Sequence, residues 1–278
     1  MTRFNVICCD PPWQLDQRQE NPSFRGYGYG MSAYNPDVET ALTPARWTNE
    51  ILAIACDVTG VPLKSLRDET ARIDPTLTER WYASNETDYS LYDTQDYVVS
   101  MLHCWRHGGT SYASSNVTRL FMRWLAHRGL KPASFIDYHG GLGLTSAQLS
   151  MGHPEARVMF HTAVKHHADV GREVFKRMDL KVEIIEQLEP AEVLIAQETM
   201  EHFPDPCSEI RKIIGEVKPK WYLDQSSFTI DACGHFKHNH KVGKQFNAVL
   251  RELGYETYWK AEGISSPFNA KPAVWVKQ

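Results

Sequence analysis

No apolar run in this chain approaches the roughly 18–20 residues of a membrane span, and the N-terminus lacks the basic-then-apolar layout of a secretory signal. A cytoplasmic protein with no membrane partner is the expectation. None of the six cysteines (Cys8, Cys9, Cys56, Cys104, Cys207, Cys233) falls in a CxxC or other paired spacing. That excludes a disulfide framework and fits reduced thiols. There is no excess of positive charge: 30 basic residues face 34 acidic ones, for a net charge of −4. Affinity from a broad phosphate-binding surface is thereby excluded, though a local basic patch is not. Internal repeats and low-complexity tracts are absent. Histidine, by contrast, is plentiful at 12. His235, His238 and His240 cluster, but without cysteine or acidic partners at ligand spacing no metal is expected there.

The chain's 278 residues suffice for one large domain or two small ones. Residues 14–40 are rich in Gly, Tyr, Asn, Gln and Pro, including Gly26-Tyr27-Gly28-Tyr29-Gly30, and read as a long loop. Residues 41–130 read as a helical cap. Thr43-Pro44 has the form of an N-cap with proline at N1. Ile51, Leu52, Ile54 and Ala55 give one buried face, and Val117, Leu120, Phe121, Trp124 and Leu125 repeat the pattern across Asn116–His127. Between them lies an aromatic-rich stretch, Trp81-Tyr82 through Tyr89, Tyr92 and Tyr97. It reads either as a helical surface packing on the next domain or as a lid over a ligand site.

From Ser134 the pattern becomes strand–helix alternation. Strands are predicted near 134–138, 157–161, 181–185, 192–196, 220–226, 255–261 and 272–277, with helices near 144–151, 164–178, 207–215 and 240–253. Such alternation implies an α/β, doubly wound parallel sheet over 131–278. The last two strands have no helix between them and predict an antiparallel hairpin at the sheet edge.

Three segments carry chemistry. At the N-terminus (residues 1–40), the apolar run Phe4–Cys9 ends in Asp10-Pro11-Pro12-Trp13. Hydrogen bonds to an Asp carboxylate and a proline-flanked carbonyl return electron density to an exocyclic amine, and the aromatic offers a stacking face for a base. The alternative is a strand followed by a proline-rich turn. Second, Phe135-Ile-Asp137-Tyr138-His139-Gly140-Gly141-Leu142-Gly143 joins a strand to its helix, where small residues let a ligand approach the backbone. Third, Val193-Leu-Ile-Ala-Gln197-Glu198-Thr199-Met200-Glu201-His202 runs on through Asp205-Pro206 to Lys218-Pro219 and the strand at Trp221.

The first segment resembles the start of the MT-A70 adenine-N6 methyltransferases, over about the first 35 residues. The second and third, with the final hairpin, resemble the class I S-adenosylmethionine-dependent methyltransferases over about residues 110–278. That resemblance implies a Rossmann-like sheet and S-adenosyl-L-methionine as cofactor. It implies a cofactor site built from Asp137, His139, Gly141, Gly143, His161, Thr162, Gln197 and Glu198. Two departures stand out. His139 occupies the first glycine of the family's turn, and the run Arg157–Ala163 lacks the carboxylate that usually holds both ribose hydroxyls. Asp137 either orients the turn and the cofactor's amino group or caps the helix. Glu201-His202 either contributes a catalytic base, His202, or organises the end of strand four. The two resemblances compete, since in MT-A70 enzymes the acceptor motif sits at the tip of strand four, a place Gln197 already fills.

The expected function is methyl transfer to an amine of a nucleobase, nucleotide or single-stranded nucleic acid, with Asp10, Pro11, Pro12, Trp13 and His202 at the acceptor. A small-metabolite N- or O-methyltransferase is an alternative. A non-catalytic subunit with a degenerate pocket is another.

Overall fold

The computed structural model describes residues 45–106, 113–260 and 272–278. Asp10–Trp13 and the Gly26–Gly30 loop lie outside the described residues.

Three helices come first: α1 (Ala45–Thr59), α2 (Leu66–Ala83) and α3 (Gln95–Arg106), with a short 3₁₀ turn at Tyr89–Asp93. Next is α4 (Ser114–His127). The alternating half then runs β1 (Ser134–Tyr138), α5 (Leu144–Gly152), β2 (Arg157–His161), α6 (Lys165–Arg177), β3 (Val182–Ile185), β4 (Val193–Gln197), α7 (Pro206–Val217), β5 (Trp221–Gln225), α8 (Gly243–Glu252), β6 (Tyr255–Lys260) and β7 (Ala273–Lys277). The strands form one seven-stranded sheet in the order β3-β2-β1-β4-β5-β7-β6. All neighbours are parallel except β7, which pairs antiparallel with both β5 and β6. This is the class I methyltransferase sheet with its C-terminal hairpin. The strands fall within a residue or two of their predicted positions.

Burial on both faces explains why the strands read as nearly continuous apolar runs. Successive side chains point to opposite faces. Phe135, Val193, Ile195, Leu223 and Val274 face one way, onto Val117, Phe121 and Leu125 of α4. Ile136, Leu194, Ala196, Tyr222 and Trp275 face the other, onto Ile210, Ile213 and Val217 of α7 and Phe246 and Leu250 of α8. Although α4 was grouped with the cap by its place in the sequence, its amphipathic face packs on the sheet. Helix α7 starts where the sequence says it must: Asp205 accepts the Ser208 N–H at 3.0 Å and Pro206 sits in the first turn.

The cap has no core of its own. Ile51, Leu52, Leu77, Trp81, Leu91 and Leu102 share one apolar cluster with Leu142, Leu144, Phe160, Val170 and Phe175 of the α/β half. Trp81 joins the two halves. Its ring is fully buried, edge-on to Phe236 at 5.5 Å, and its Nε1–H donates to the carbonyl of His235 at 2.9 Å. Among the described residues, no helix is long and apolar enough to cross a membrane.

Trp81→Ala should lower stability by about 3–5 kcal/mol, the usual cost of emptying a buried aromatic site. A urea titration followed by circular dichroism measures it.

Candidate active site

A cavity of about 920 Å³ opens at the carboxyl ends of β1, β2 and β4, with the cap as its outer wall. It lies where the strand order reverses between β1 and β4, the usual place for a ligand in an open α/β sheet. Its volume is at the upper end of ordinary ligand pockets, room for a nucleoside-sized cofactor and a second molecule.

The inner wall is the turn after β1. Asp137 is 1% exposed; its Oδ2 accepts the Ser146 hydroxyl at 2.7 Å. It also takes the Ser146 backbone N–H, so it satisfies a donor of the first turn of α5. Burial pushes its carboxyl up to about 6, against the pull of the Ser146 bonds. Orienting the turn and capping the helix are therefore one role. Gly140 fits because it has no side chain: a Cβ there would lie 2.3 Å from Asp137 Oδ2. Gly141, at φ +54°, borders the cavity, and a Cβ there would meet only Met101 Sδ, at 3.2 Å. Gly143 is not among the lining residues. At φ +74° it begins α5, and a Cβ there would lie 2.6 Å from the Phe175 ring. Of these glycines the sequence reading singled out Gly141 and Gly143; the steric need at Gly140 arises from the fold of Asp137 over it.

His139 adopts φ +49°, the left-handed region that explains why glycine is usual in this turn. Its ring is held edge-on by Tyr138 at 4.5 Å, His161 at 4.9 Å and Phe203 at 5.4 Å. Burial, with nearby His161 and Lys212, lowers it to about 3. His161 itself stacks on Tyr138 at 5.0 Å and is not among the lining residues. Thr162 is, with Ala163, Val164 and Lys165 after it.

At the tip of β4, Gln197 satisfies its whole side-chain amide. Its Oε1 accepts from Thr118 Oγ1 at 2.9 Å and Thr145 Oγ1 at 3.1 Å, while Nε2 donates to Ser114 O at 3.1 Å and Gln225 Oε1 at 3.0 Å. It therefore ties α4, α5 and β5 together beside the cavity. Glu198, at φ +48°, also lines the cavity; its carboxylate accepts from Gln225 Nε2 at 2.9 Å and from the Ser227 hydroxyl. His202 faces the same space, with Nδ1 2.8 Å from the Tyr92 hydroxyl and its ring edge-on to His235 at 4.8 Å. Gly234 makes that meeting possible: a Cβ there would fall 2.1 Å from Tyr92 Oη and 2.3 Å from His202 Nδ1. Burial, with His235 and His139 nearby, holds His202 well below the ordinary imidazole value. It is a neutral ring at pH 7.

The aromatic stretch combines both of its readings. Trp81 packs into the shared core, whereas Tyr89, Tyr92 and Tyr97 line the cavity. The sequence reading missed them as individual site residues, as it missed the acidic partner of His235. Glu201 stands 34 positions earlier in the chain, and only the pairing of β4 with β5 brings the two together.

The sheet order and the cavity at its switch point define a class I methyltransferase fold. No family model matches the chain. No curated protein matches it either. Among solved structures it is similar to an O-methyltransferase family protein from Burkholderia thailandensis, at 15% identity over 63% of each chain with a TM-score of 0.42. The chain thus spans less than two thirds of that protein's length. It is also similar to the Methanococcus jannaschii fibrillarin pre-rRNA processing protein, at 9% identity over 53% of this chain and 67% of that one, with a TM-score of 0.41. A third is the plantazolicin methyltransferase BpumL, solved with a monoazolic desmethylPZN analog and SAH, at 9% identity over 77% and 98% with a TM-score of 0.46. The fold assignment rests on the strand order, not on these distant likenesses.

His139 makes a pH prediction. Its folded value is near 3 against 6.5 for a free imidazole, so below pH 6.5 the unfolded chain binds a proton that the folded chain refuses. Wild type should therefore lose stability relative to His139→Asn as pH falls, by about 2 kcal/mol at pH 5 compared with pH 7.5. Asparagine tolerates the positive φ. Parallel urea titrations at the two pH values measure the difference.

Proposed function

We propose that this protein is an S-adenosylmethionine-dependent methyltransferase acting on a nucleotide or single-stranded nucleic acid. The observation that carries the reading is the cavity at the β1/β4 switch point, floored by Gly140 and Gly141 beside the buried Asp137. A cradle that a Cβ at Gly141 would fill fits a ligand lying against the backbone. Gly140, Gly141 and Asp137 would hold the cofactor at the turn, and Thr162 would meet the ribose with a single hydroxyl in place of a carboxylate. Bound there, the cofactor supplies an activated methyl group. The protein's part is to hold the acceptor in line and keep water out. Tyr89, Tyr92 and Tyr97 offer ring surface on the cap side, suited to a planar acceptor.

The nucleobase assignment comes from Asp10–Trp13, which would hold an exocyclic amine. A small-metabolite acceptor is the second reading, favoured by the cap that walls the cavity and limits what can enter. Calorimetry with S-adenosylmethionine and S-adenosylhomocysteine tests the enzyme against a non-catalytic subunit; absence of binding to folded protein would sink the proposal.

Gly141→Val should abolish cofactor binding, and Gly141→Ala should weaken it in a protein that still folds, because the space taken belongs to the cavity. Unchanged affinity in folded Gly141→Ala would remove the turn from the site. Asp10→Ala should remove most turnover with cofactor affinity intact. Trp13→Ala should weaken acceptor binding by about 1–3 kcal/mol if a base stacks there. Steady-state kinetics beside calorimetry separates these effects.

A further inference from the structure

At the cavity wall, the chain assembles ligating atoms that methyl transfer alone leaves idle. Glu201, His202 and His235 each bring one ligand atom within 4.8 Å of the others. Glu201 is 1% exposed. Its Oε1 accepts the Ser227 N–H at 2.9 Å, but its Oε2 is buried with no hydrogen-bond partner. The Glu198 carboxylate stands beside it within hydrogen-bonding reach, and two carboxylates bond to each other only through a shared proton. A buried carboxylate oxygen without a donor calls for a proton shared with Glu198 or for a cation.

The imidazoles favour the cation. The His235 ring is 6% exposed. Its Nδ1–H donates to the Ile230 carbonyl at 3.1 Å, with the Ser227 backbone also within reach of the ring; in that tautomer the lone pair is on Nε2. In the tautomer whose Nδ1–H donates to Tyr92 Oη, His202 also keeps its Nε2 lone pair. A neutral imidazole fixed through its other nitrogen is the state in which histidine ligates metals. Two such rings and one carboxylate suit a first-row divalent cation better than Mg²⁺ or Ca²⁺, which prefer all-oxygen sites. Ligands at about 2.1 Å from a common ion stand roughly 3–4 Å apart, so closing this site draws the farthest pair together by about 1–2 Å.

We propose that Glu201, His202 and His235 bind a single divalent transition-metal cation at the cavity wall, with Glu198 beside it. Resting on the methyltransferase reading, the ion also bears on the acceptor. A hydroxyl held by the ion ionises nearer neutral pH: the O–H bond breaks, the electron pair stays on oxygen and the proton leaves to solvent. A nucleobase amine gains nothing comparable, so of the groups a nucleotide offers the ion favours a hydroxyl, and cation binding would count against the amine assignment made from Asp10–Trp13.

The test uses the full chain, stripped with a chelator, dialysed, and titrated with Mn²⁺ and Co²⁺ by calorimetry, with Co²⁺ also followed by visible absorption. One equivalent should bind, with a ligand-field band for Co²⁺. Glu201→Gln and His235→Ala should each weaken binding at least about tenfold, a floor set by the loss seen when a mere supporting partner of a ligand is removed. His238→Ala and His240→Ala should leave it unchanged. Glu201→Gln keeps an acceptor for the Ser227 N–H, and circular dichroism verifies its fold. Absence of saturable binding to folded wild type, or equal affinity in Glu201→Gln and His235→Ala, overturns the site in favour of a proton shared with Glu198. S-adenosylmethionine titrated into the same samples keeps the two readings apart. Cofactor binding without cation binding overturns only the ion; cation binding without cofactor binding supports the site and overturns the acceptor assignment.

Discussion

The apolar contact between the cap and the outer face of α5 and α6 governs the chemistry of the whole site. Ile51, Leu77 and Trp81 on one side and Leu142, Phe160 and Phe175 on the other form one cluster, so the cap buries its apolar surface only against the α/β half. That packing sets the cap as one wall of the cavity at the ends of the strands. Around the strand ends, burial raises Asp137 and Glu201 above the ordinary carboxylate range and lowers His139, His202 and His235 below the ordinary imidazole range. The direction is the same physical preference in each case: burial favours the uncharged form.

The sheet was legible in the sequence because its strands are buried on both faces. Runs such as Val193–Ala196 have no polar alternation to blur, and their ends are marked by Asp205-Pro206, Lys218-Pro219 and the glycines after Tyr138. The site was legible only where it is local in sequence. Asp137, Gly141, Thr162, Gln197, Glu198 and His202 all border the cavity, because each ends a strand or follows one. Contacts made across the fold left no periodic signal. The clash that forbids a side chain at Gly140, the meeting of Tyr92 with His202 over Gly234, and the approach of His235 to Glu201 all depend on tertiary packing. The sequence also weighed α4 by its neighbours and not by its partners, and so set it with the cap.

His139 shows how a departure from a family pattern can be absorbed. The backbone keeps the left-handed conformation that glycine usually supplies, and the ring finds three aromatic neighbours, Tyr138, His161 and Phe203. The strain of a non-glycine residue at φ +49° is offset locally by that packing. The acid missing after β2 has no such substitute. Thr162 reaches the cavity, but its hydroxyl accepts the Val164 N–H at 3.3 Å and so is partly engaged by its own turn.

The position of β7 has a consequence for how the chain reaches this structure. Residues Ala273–Lys277 do not extend the sheet at its rim; they lie between β5 and β6, with Trp275 1% exposed. Until β7 pairs, β5 carries an open edge, although α4, α7 and α8 already supply the faces that cover Tyr222 and Leu223. Pairing must span about 50 residues between β5 and β7, a long-range closure that slows folding. The edge of β5 is thus sealed only by a strand from the far end of the described chain, and an unpaired strand edge is a template for mispairing until it is sealed.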